Sequence, residues 1–218
     1  MDRPGPGSTT ARSRGPLSRL FPDATRAVLV AVIAVSVLAL LLPPEDLLER
    51  LMKDNDAIRA GEVWRLLTAG LVHGGGLHLA MNAMVLNDVG RLVESLFGPR
   101  RFLALLWGGV LGGSLASFAT NPHPSVGISG GLFALVGALL AVGLRHRRRL
   151  PPPVRRMLVR GPIEIIVLNV ALGLTLRFID NAAHVGGLVA GFALASALPL
   201  RPEVRTLLGR TVEPPHPG

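Results

Sequence analysis

Six apolar stretches, over residues 27–42, 77–89, 102–118, 129–144, 163–178 and 182–200, follow one another with charged or Pro/Gly-rich segments between them. This alternation constrains the fold more than any single motif. The hydrocarbon core of a bilayer is about 30 Å thick, and a segment inside it must satisfy its own backbone hydrogen bonds, so a chain of this pattern crosses as helices. A mean hydropathy of +0.47, with 49% hydrophobic residues, points the same way and away from a soluble domain. The reading is an all-α polytopic membrane protein, with a bundle of six transmembrane helices in a membrane domain over residues 26–200. Residues 1–25, rich in Arg, Pro, Gly and Ser, read as a disordered cytoplasmic tail, and residues 201–218 as a polar cytoplasmic tail. The rival reading of residues 27–42, a signal peptide, lacks a convincing small-x-small cleavage site before Pro43-Pro44.

Charge sets the orientation. With both termini on the cytoplasmic side, 18 of the 23 Lys and Arg fall in inner segments and 5 in outer ones. The net charge of +9 therefore reflects loops facing anionic head groups and the cytoplasm, and nucleic acid is not an expected partner. All but one of the basic residues are Arg, a bias read as that of a bacterial genome, and the expected location is the cell membrane. The absence of Cys excludes disulfides and thiol chemistry. Residues 45–65, with six acids and four bases, read as an amphipathic surface loop with Trp64-Arg65 at the interface. Residues 90–101 read as a polar loop, and Glu164 as snorkelling or pairing with a nearby Arg.

This orientation starts the second, fourth and sixth helices on the outer side. His78 with Asn82, Ser129, and His184 then share one membrane depth. Polar groups inside membrane helices are costly and are functional candidates by default. Residues 129–144 make about 24 Å of helix against a core of about 30 Å, which sets Ser129 below the outer surface in a cavity that must be wet or enclosed. The run Gly127-Ile128-Ser129-Gly130-Gly131 places a hydroxyl where a charge-free loop becomes a helix, near unpaired N–H groups and the positive end of the macrodipole. An isolated Gly-x-Ser-Gly is most often a helix cap. Here its company argues for chemistry. Gly187-x-x-x-Gly191, together with Gly130, Ala134, Gly137, Ala138 and Ala141, gives small-residue faces on which the fourth and sixth helices can pack closely. His78 and Asn82, four apart, share a face and suit stabilisation of an oxyanion. His73 is less clearly on that face and reads as support for the irregular Gly74-Gly75-Gly76 segment.

Trp64-Arg65, His78-x-x-x-Asn82, Gly127-Ile128-Ser129-Gly130 and Ala183-His184-x-x-Gly187-x-x-x-Gly191 together resemble the rhomboid intramembrane serine proteases over about residues 60–198. Each motif is weak alone, and four in this order are specific. The resemblance implies Ser129 as nucleophile and His184 as general base, a dyad in which Asp180 has no assigned relay role. It implies an oxyanion hole from His78, Asn82 and the Ser129 N–H, and an aromatic Phe133 packed on the catalytic histidine. It further implies substrate entry at the fifth helix and the loop to Asn181, a structural polar cluster at Arg91 and Glu94, and transmembrane segments of membrane proteins as substrates. A non-catalytic rhomboid-like protein binding membrane clients is the alternative; such relatives lack the serine or the histidine. A small transporter would show acidic residues within helices and an inverted repeat, and neither is found. An α/β-hydrolase elbow needs a strand before the serine. No His-Glu-x-x-His or Cys cluster is present, so no metal or other cofactor is expected.

Overall fold

The computed structural model describes residues 24–43, 47–176 and 179–210. Its helices are α1 (Ala24–Leu41), α2 (Leu48–Leu51), α3 (Asn55–Arg59), α4 (Arg65–Thr68), α5 (Gly76–Val85), α6 (Arg91–Phe97), α7 (Pro99–Thr120), α8 (Ser129–His146), α9 (Pro152–Arg155), α10 (Gly161–Thr175), α11 (Asn181–Ala197) and α12 (Pro202–Arg210). A π-helical stretch, Leu86–Gly90, joins α5 to α6, and another, Arg156–Arg160, joins α9 to α10. No strand occurs among the described residues, only an isolated antiparallel bridge between Lys53 and Ser125.

Among the described residues four helices are long and apolar enough to cross a membrane: Ala24–Leu41, Pro99–Thr120, Ser129–His146 and Pro152–Thr175. A fifth is counted if α11 and α12 are taken as one span bent by 81°. Helix α8 is the central member, with all but five of its 18 residues buried. It packs against α7 and α11, and the three helices form the core of the bundle. Helix α10 stands outside that core; Pro162 is its sole buried residue among those described, and Val167, Leu168, Leu172 and Leu174 are exposed.

The core helices approach at backbone distance because small residues line their shared faces. A Cβ at Gly187 would collide with the carbonyl of Gly130, and one at Gly191 with the backbone of Ala134. This is the pairing of the fourth and sixth apolar stretches that their small-residue spacing predicts. Helix α7 adds a contribution the sequence reading did not draw on. A Cβ at Gly113 would lie 2.6 Å from the Ala183 carbonyl and 3.3 Å from the Gly130 Cα. Gly109-x-x-x-Gly113 was the available signal, since that spacing puts both glycines on one face.

Three expectations are corrected. The polar loop over residues 90–101 is helical as far as Phe97, because nothing breaks the helix before Gly98-Pro99. Glu94 is part of the reason: its two carboxylate oxygens accept from the Ala24 N–H at 3.0 Å, the Thr25 N–H at 2.9 Å and the Thr25 hydroxyl at 2.6 Å. The same bonds cap α1, so that Ala24 and Thr25 open a helix where the N-terminal tail was expected to continue. The tail from residue 201 contains α12, with Pro202 at its first position and Val204 and Leu208, four apart, packed against the core. The remainder of the expected tails, residues 1–23 and 211–218, and the end of the fifth apolar stretch at 177–178 lie outside the described residues. The expected pairing of Glu164 is present, with Arg160 Nε donating to Oε1 at 2.6 Å on an exposed face.

Overpacking a close-packed interface costs about 1–3 kcal/mol. Gly187→Ala is expected to lower stability by at least that much in reversible detergent unfolding. Gly76→Ala, where a Cβ meets nothing within 4 Å, is expected to stay within about 0.5 kcal/mol of wild type.

Candidate active site

Ser129 is the first residue of α8, and His184 lies in the first turn of α11. The glycine-lined contact of these helices brings the two side chains together, with Ser129 Oγ 3.0 Å from His184 Nε2. His184 is 8% exposed and its ring stacks on that of Phe133, with centroids 4.2 Å apart and planes 13° from parallel. If Nε2 accepts from the serine hydroxyl, the ring proton sits on Nδ1. Nδ1 is buried and has no partner among the described residues.

Asp180 lies four residues before His184 but faces elsewhere. Its Oδ1 accepts from the Ala183 N–H at 3.0 Å, capping α11, and its Oδ2 accepts from the Ser117 hydroxyl at 2.5 Å. Burial works to raise the Asp180 pKa, and hydrogen bonds from Ser117, the Ala183 N–H, Ser125 and Asn121 outweigh it and hold the carboxyl below its ordinary value.

The loop into Ser129 is laid on the segment that precedes α5. Lys53 and Ser125 exchange backbone hydrogen bonds at 3.0 and 3.1 Å. The buried Lys53 ammonium donates to the carbonyls of Asn121 at 2.7 Å and His123 at 2.9 Å. Asn55 donates to the Phe118 and Asn121 carbonyls at 3.3 and 3.2 Å. Further on, the Gly127 N–H donates to Ala69 O at 2.9 Å. Gly127 has φ +114°, a conformation L side chains rarely adopt, and a Cβ there would stand 2.8 Å from His78 Cε1. Gly127 therefore fixes both the turn and the room for His78. Burial pushes the Lys53 pKa down, while Asp180 and Asp54 oppose that shift.

Trp64 is half exposed, whereas Arg65 is buried. Its guanidinium donates to the carbonyls of Glu49 and Met52 and to Glu62 Oε2, and it organises the surface segment from within. Lys53, Asn55 and Ser117 are polar residues that the sequence reading passed over. Their signal was weak, since Lys53 and Asn55 sit in an acid- and base-rich stretch where solvated side chains are the ordinary expectation.

His78 and Asn82 lie on α5 beside this loop. Asn82 is buried, and its Nδ2 donates to the His78 carbonyl at 2.9 Å, which leaves its second amide hydrogen for another acceptor. Among the described residues neither side chain is hydrogen-bonded to Ser129. His73 takes a different place from the one expected. It is fully buried, edge-to-face with His78 at 4.9 Å, and reaches α1 and the serine loop rather than the three glycines. Among the described residues no group of three or more His, Cys, Asp or Glu converges as metal ligands would.

A family model described as the Rhomboid domain matches residues 60–201. The chain is 43% identical over 148 residues to the Rhomboid protease GluP of Bacillus subtilis (strain 168), covering 68% of this chain and 28% of that protein. It is 40% identical over 149 residues to RHOMBOID-like protein 5 of Arabidopsis thaliana, covering 67% and 47%. A third relative, Inactive RHOMBOID-like protein 8 of the same plant, is 30% identical over 158 residues, covering 72% and 43%. The chain thus spans less than half the length of each of these three relatives.

Lys53→Met keeps the aliphatic stem but leaves the Asn121 and His123 carbonyls without their donor. A buried unpaired polar group costs about 1–3 kcal/mol. The variant is expected to lose stability of that order, and hydrogen exchange or limited proteolysis is expected to show residues 119–128 opening first.

Proposed function

The chain belongs to the rhomboid family, and from that premise we propose that it is an intramembrane serine endopeptidase in which Ser129 is the nucleophile and His184 the general base. The observation that carries the reading is the 3.0 Å approach of Ser129 Oγ to His184 Nε2 across two helices 55 residues apart in sequence. A nucleophile and base within hydrogen-bond reach, with the base oriented by a third group, is the arrangement that acyl transfer needs. Here the third group is the Phe133 ring.

His184 takes the Ser129 proton as Oγ attacks a substrate carbonyl. The tetrahedral oxyanion is held by the Ser129 N–H at the start of α8, the His78 imidazole and the free Asn82 amide hydrogen, with the α8 dipole adding to the stabilisation. His184 then returns the proton to the leaving amine. Water attacks the acyl-enzyme by the same route in reverse. The substrates are transmembrane segments of membrane proteins, which must unwind to expose a peptide bond. Helix α10, packed loosely against the α7–α8–α11 core, is the element to yield as they enter.

The membrane domain of this proposal has six spans: the four helices that pass by length and hydropathy, the α11–α12 pair, and the continuous helix over residues 76–97. The last is 22 residues long and carries Asp88, Arg91 and Glu94 toward one end. Both termini face the cytoplasm of a bacterial cell, by the distribution of Arg. The alternative, a non-catalytic client-binding relative, has a precedent in the inactive plant protein. The Ser129–His184 contact favours the enzyme.

Purified protein in proteoliposomes is expected to cleave a transmembrane reporter, and Ser129→Ala and His184→Ala each to reduce kcat by about 10³-fold or more. Asp180→Asn distinguishes dyad from triad. A carboxylate that orients the catalytic imidazole is worth about 10⁴ in kcat. Because Asp180 caps α11 instead, the asparagine variant is expected to lose less than about tenfold. Folded wild type that neither cleaves the reporter nor is labelled at Ser129 by a fluorophosphonate would establish the client-binding reading.

A further inference from the structure

We propose that Ser36 and His73 are positioning residues that tie the nucleophile's loop to the first membrane helix through a single enforced imidazole tautomer. The inference rests on the catalytic reading above and goes beyond it, because Ser36 lies in α1, outside the residues matched by the family model.

Both residues are fully buried. Ser36 Oγ lies 3.0 Å from the Leu71 carbonyl and 2.9 Å from His73 Nδ1. On the far side of the ring, His73 Nε2 faces the Ile128 N–H at 3.5 Å. Four groups must be satisfied: a carbonyl that can only accept, a backbone N–H that can only donate, a hydroxyl with one proton, and a neutral imidazole with one N–H. Only one assignment serves them all. The serine proton goes to Leu71 O, so Oγ must accept from Nδ1–H, and Nε2 is left bare to accept from Ile128. In the other tautomer Nε2–H would confront the Ile128 N–H, two donors in a buried site, and the Leu71 carbonyl would lose the serine proton. Ser36 therefore selects the tautomer, and the tautomer selects the orientation of the Ile128 N–H.

The next peptide along carries the Ser129 N–H. Gly127 N–H is already fixed on Ala69 O. Consecutive N–H groups of the turn are thus held by residues 69–73, and that segment is anchored in turn to α1. Rotation of the Ile128 peptide would swing the Ser129 N–H away from the oxyanion and alter the aim of Oγ. The chain of contacts also bears on His78, whose ring meets His73 edge-on. Ser36 and His73 are both fully buried, so their effect is expected on the chemical step rather than on binding.

The test compares Ser36→Ala, His73→Phe and His73→Gln in proteoliposomes, with rates normalised by active-site titration and Ser129→Ala as the blank. Ser36→Ala and His73→Phe are expected to lower kcat about tenfold or more with KM within twofold, a loss of the size that follows from a misplaced catalytic donor. His73→Gln can present Oε1 to Ile128 and is expected to recover most of that loss. Independently, ¹⁵N spectra of histidine-labelled protein, with the His73 signals identified by their loss in His73→Gln, are expected to show a protonated Nδ1 and a bare Nε2, and Ser36→Ala to shift that tautomer. If wild type cleaves while Ser36→Ala and His73→Phe match it in kcat, or raise KM alone, the positioning role is overturned and the catalytic reading stands. A protonated Nε2 in wild type overturns it equally. If folded wild type does not cleave at all, the catalytic reading fails and the role falls with it, though the Nδ1–H signature would still establish the Ser36–His73 bond.

Discussion

The arrangement depends on the approach of α8 to α11 without side chains between them. Gly130 and Ala134 on one helix meet Gly187 and Gly191 on the other so closely that a methyl group would displace the backbone. In lipid there is little hydrophobic gain in bringing two apolar helices together, so association rests on close van der Waals contact, which small residues allow. The consequence reaches beyond stability. Ser129 opens α8 and His184 lies in the first turn of α11, so the separation of their side chains is set by the separation of the helix axes. An interface padded with leucine would hold the axes toward the wide end of the usual range of about 8–10 Å. Helix α7 fixes the pair from a third direction, with Gly109 and Gly113 set against the Gly130 turn.

The histidine and the serine are secured by different physics. His184 belongs to the rigid three-helix core. Ser129 must also be approached from a loop, residues 121–128, which has no regular ladder of its own. That loop borrows its hydrogen bonds from residues 53–73: Lys53 and Asn55 supply donors to its carbonyls, Ser125 pairs with the Lys53 backbone, Ala69 accepts from Gly127, and His73 receives Ile128. The surface segment is held in turn by Arg65, whose guanidinium satisfies two carbonyls and Glu62. A segment that looks from its composition like a solvated loop is the template on which Ser129 is presented.

Hydrophobic blocks, small-residue spacing and the placing of His78, Asn82, Ser129 and His184 near helix starts were legible in the sequence because each rests on local periodicity. The 3.6-residue repeat puts Gly187 and Gly191 on one face whatever their partner. What was not legible depended on long-range pairing. Glu94 reads as loop polarity until the start of α1 is seen to end on its carboxylate. The helix over residues 202–210 was obscured by a composition rich in Pro and Arg, although Val204 and Leu208 share a face that the core covers. Lys53 could not be recognised as buried, because its acceptors lie some 70 positions away in sequence. Polar residues in water-facing segments carry almost no positional signal unless their partners are known.

Under the proposed dyad, the same economy of long-range polar contacts accounts for a histidine oriented without a carboxylate. In a triad, a carboxylate holds the histidine's tautomer and plane and stabilises the imidazolium. Here the nearby carboxylate closes the N-terminus of α11 and takes the Ser117 hydroxyl. Were Asp180 turned toward His184, the first turn of α11 would lose its cap and a charge would stand beside the imidazole deep among apolar helices. Stacking on Phe133 fixes the imidazole plane without a charge, and the cap fixes the turn that carries it. Orientation is thus divided between an aromatic face, which suits a low-dielectric interior, and a helix terminus, which needs an acceptor in any medium. In the proposed reaction, stabilisation of the developing charge is then left to groups on the serine's side of the site. In the proposed mechanism that division makes the aim of the serine loop, rather than the histidine's second nitrogen, the element on which the chemistry most depends.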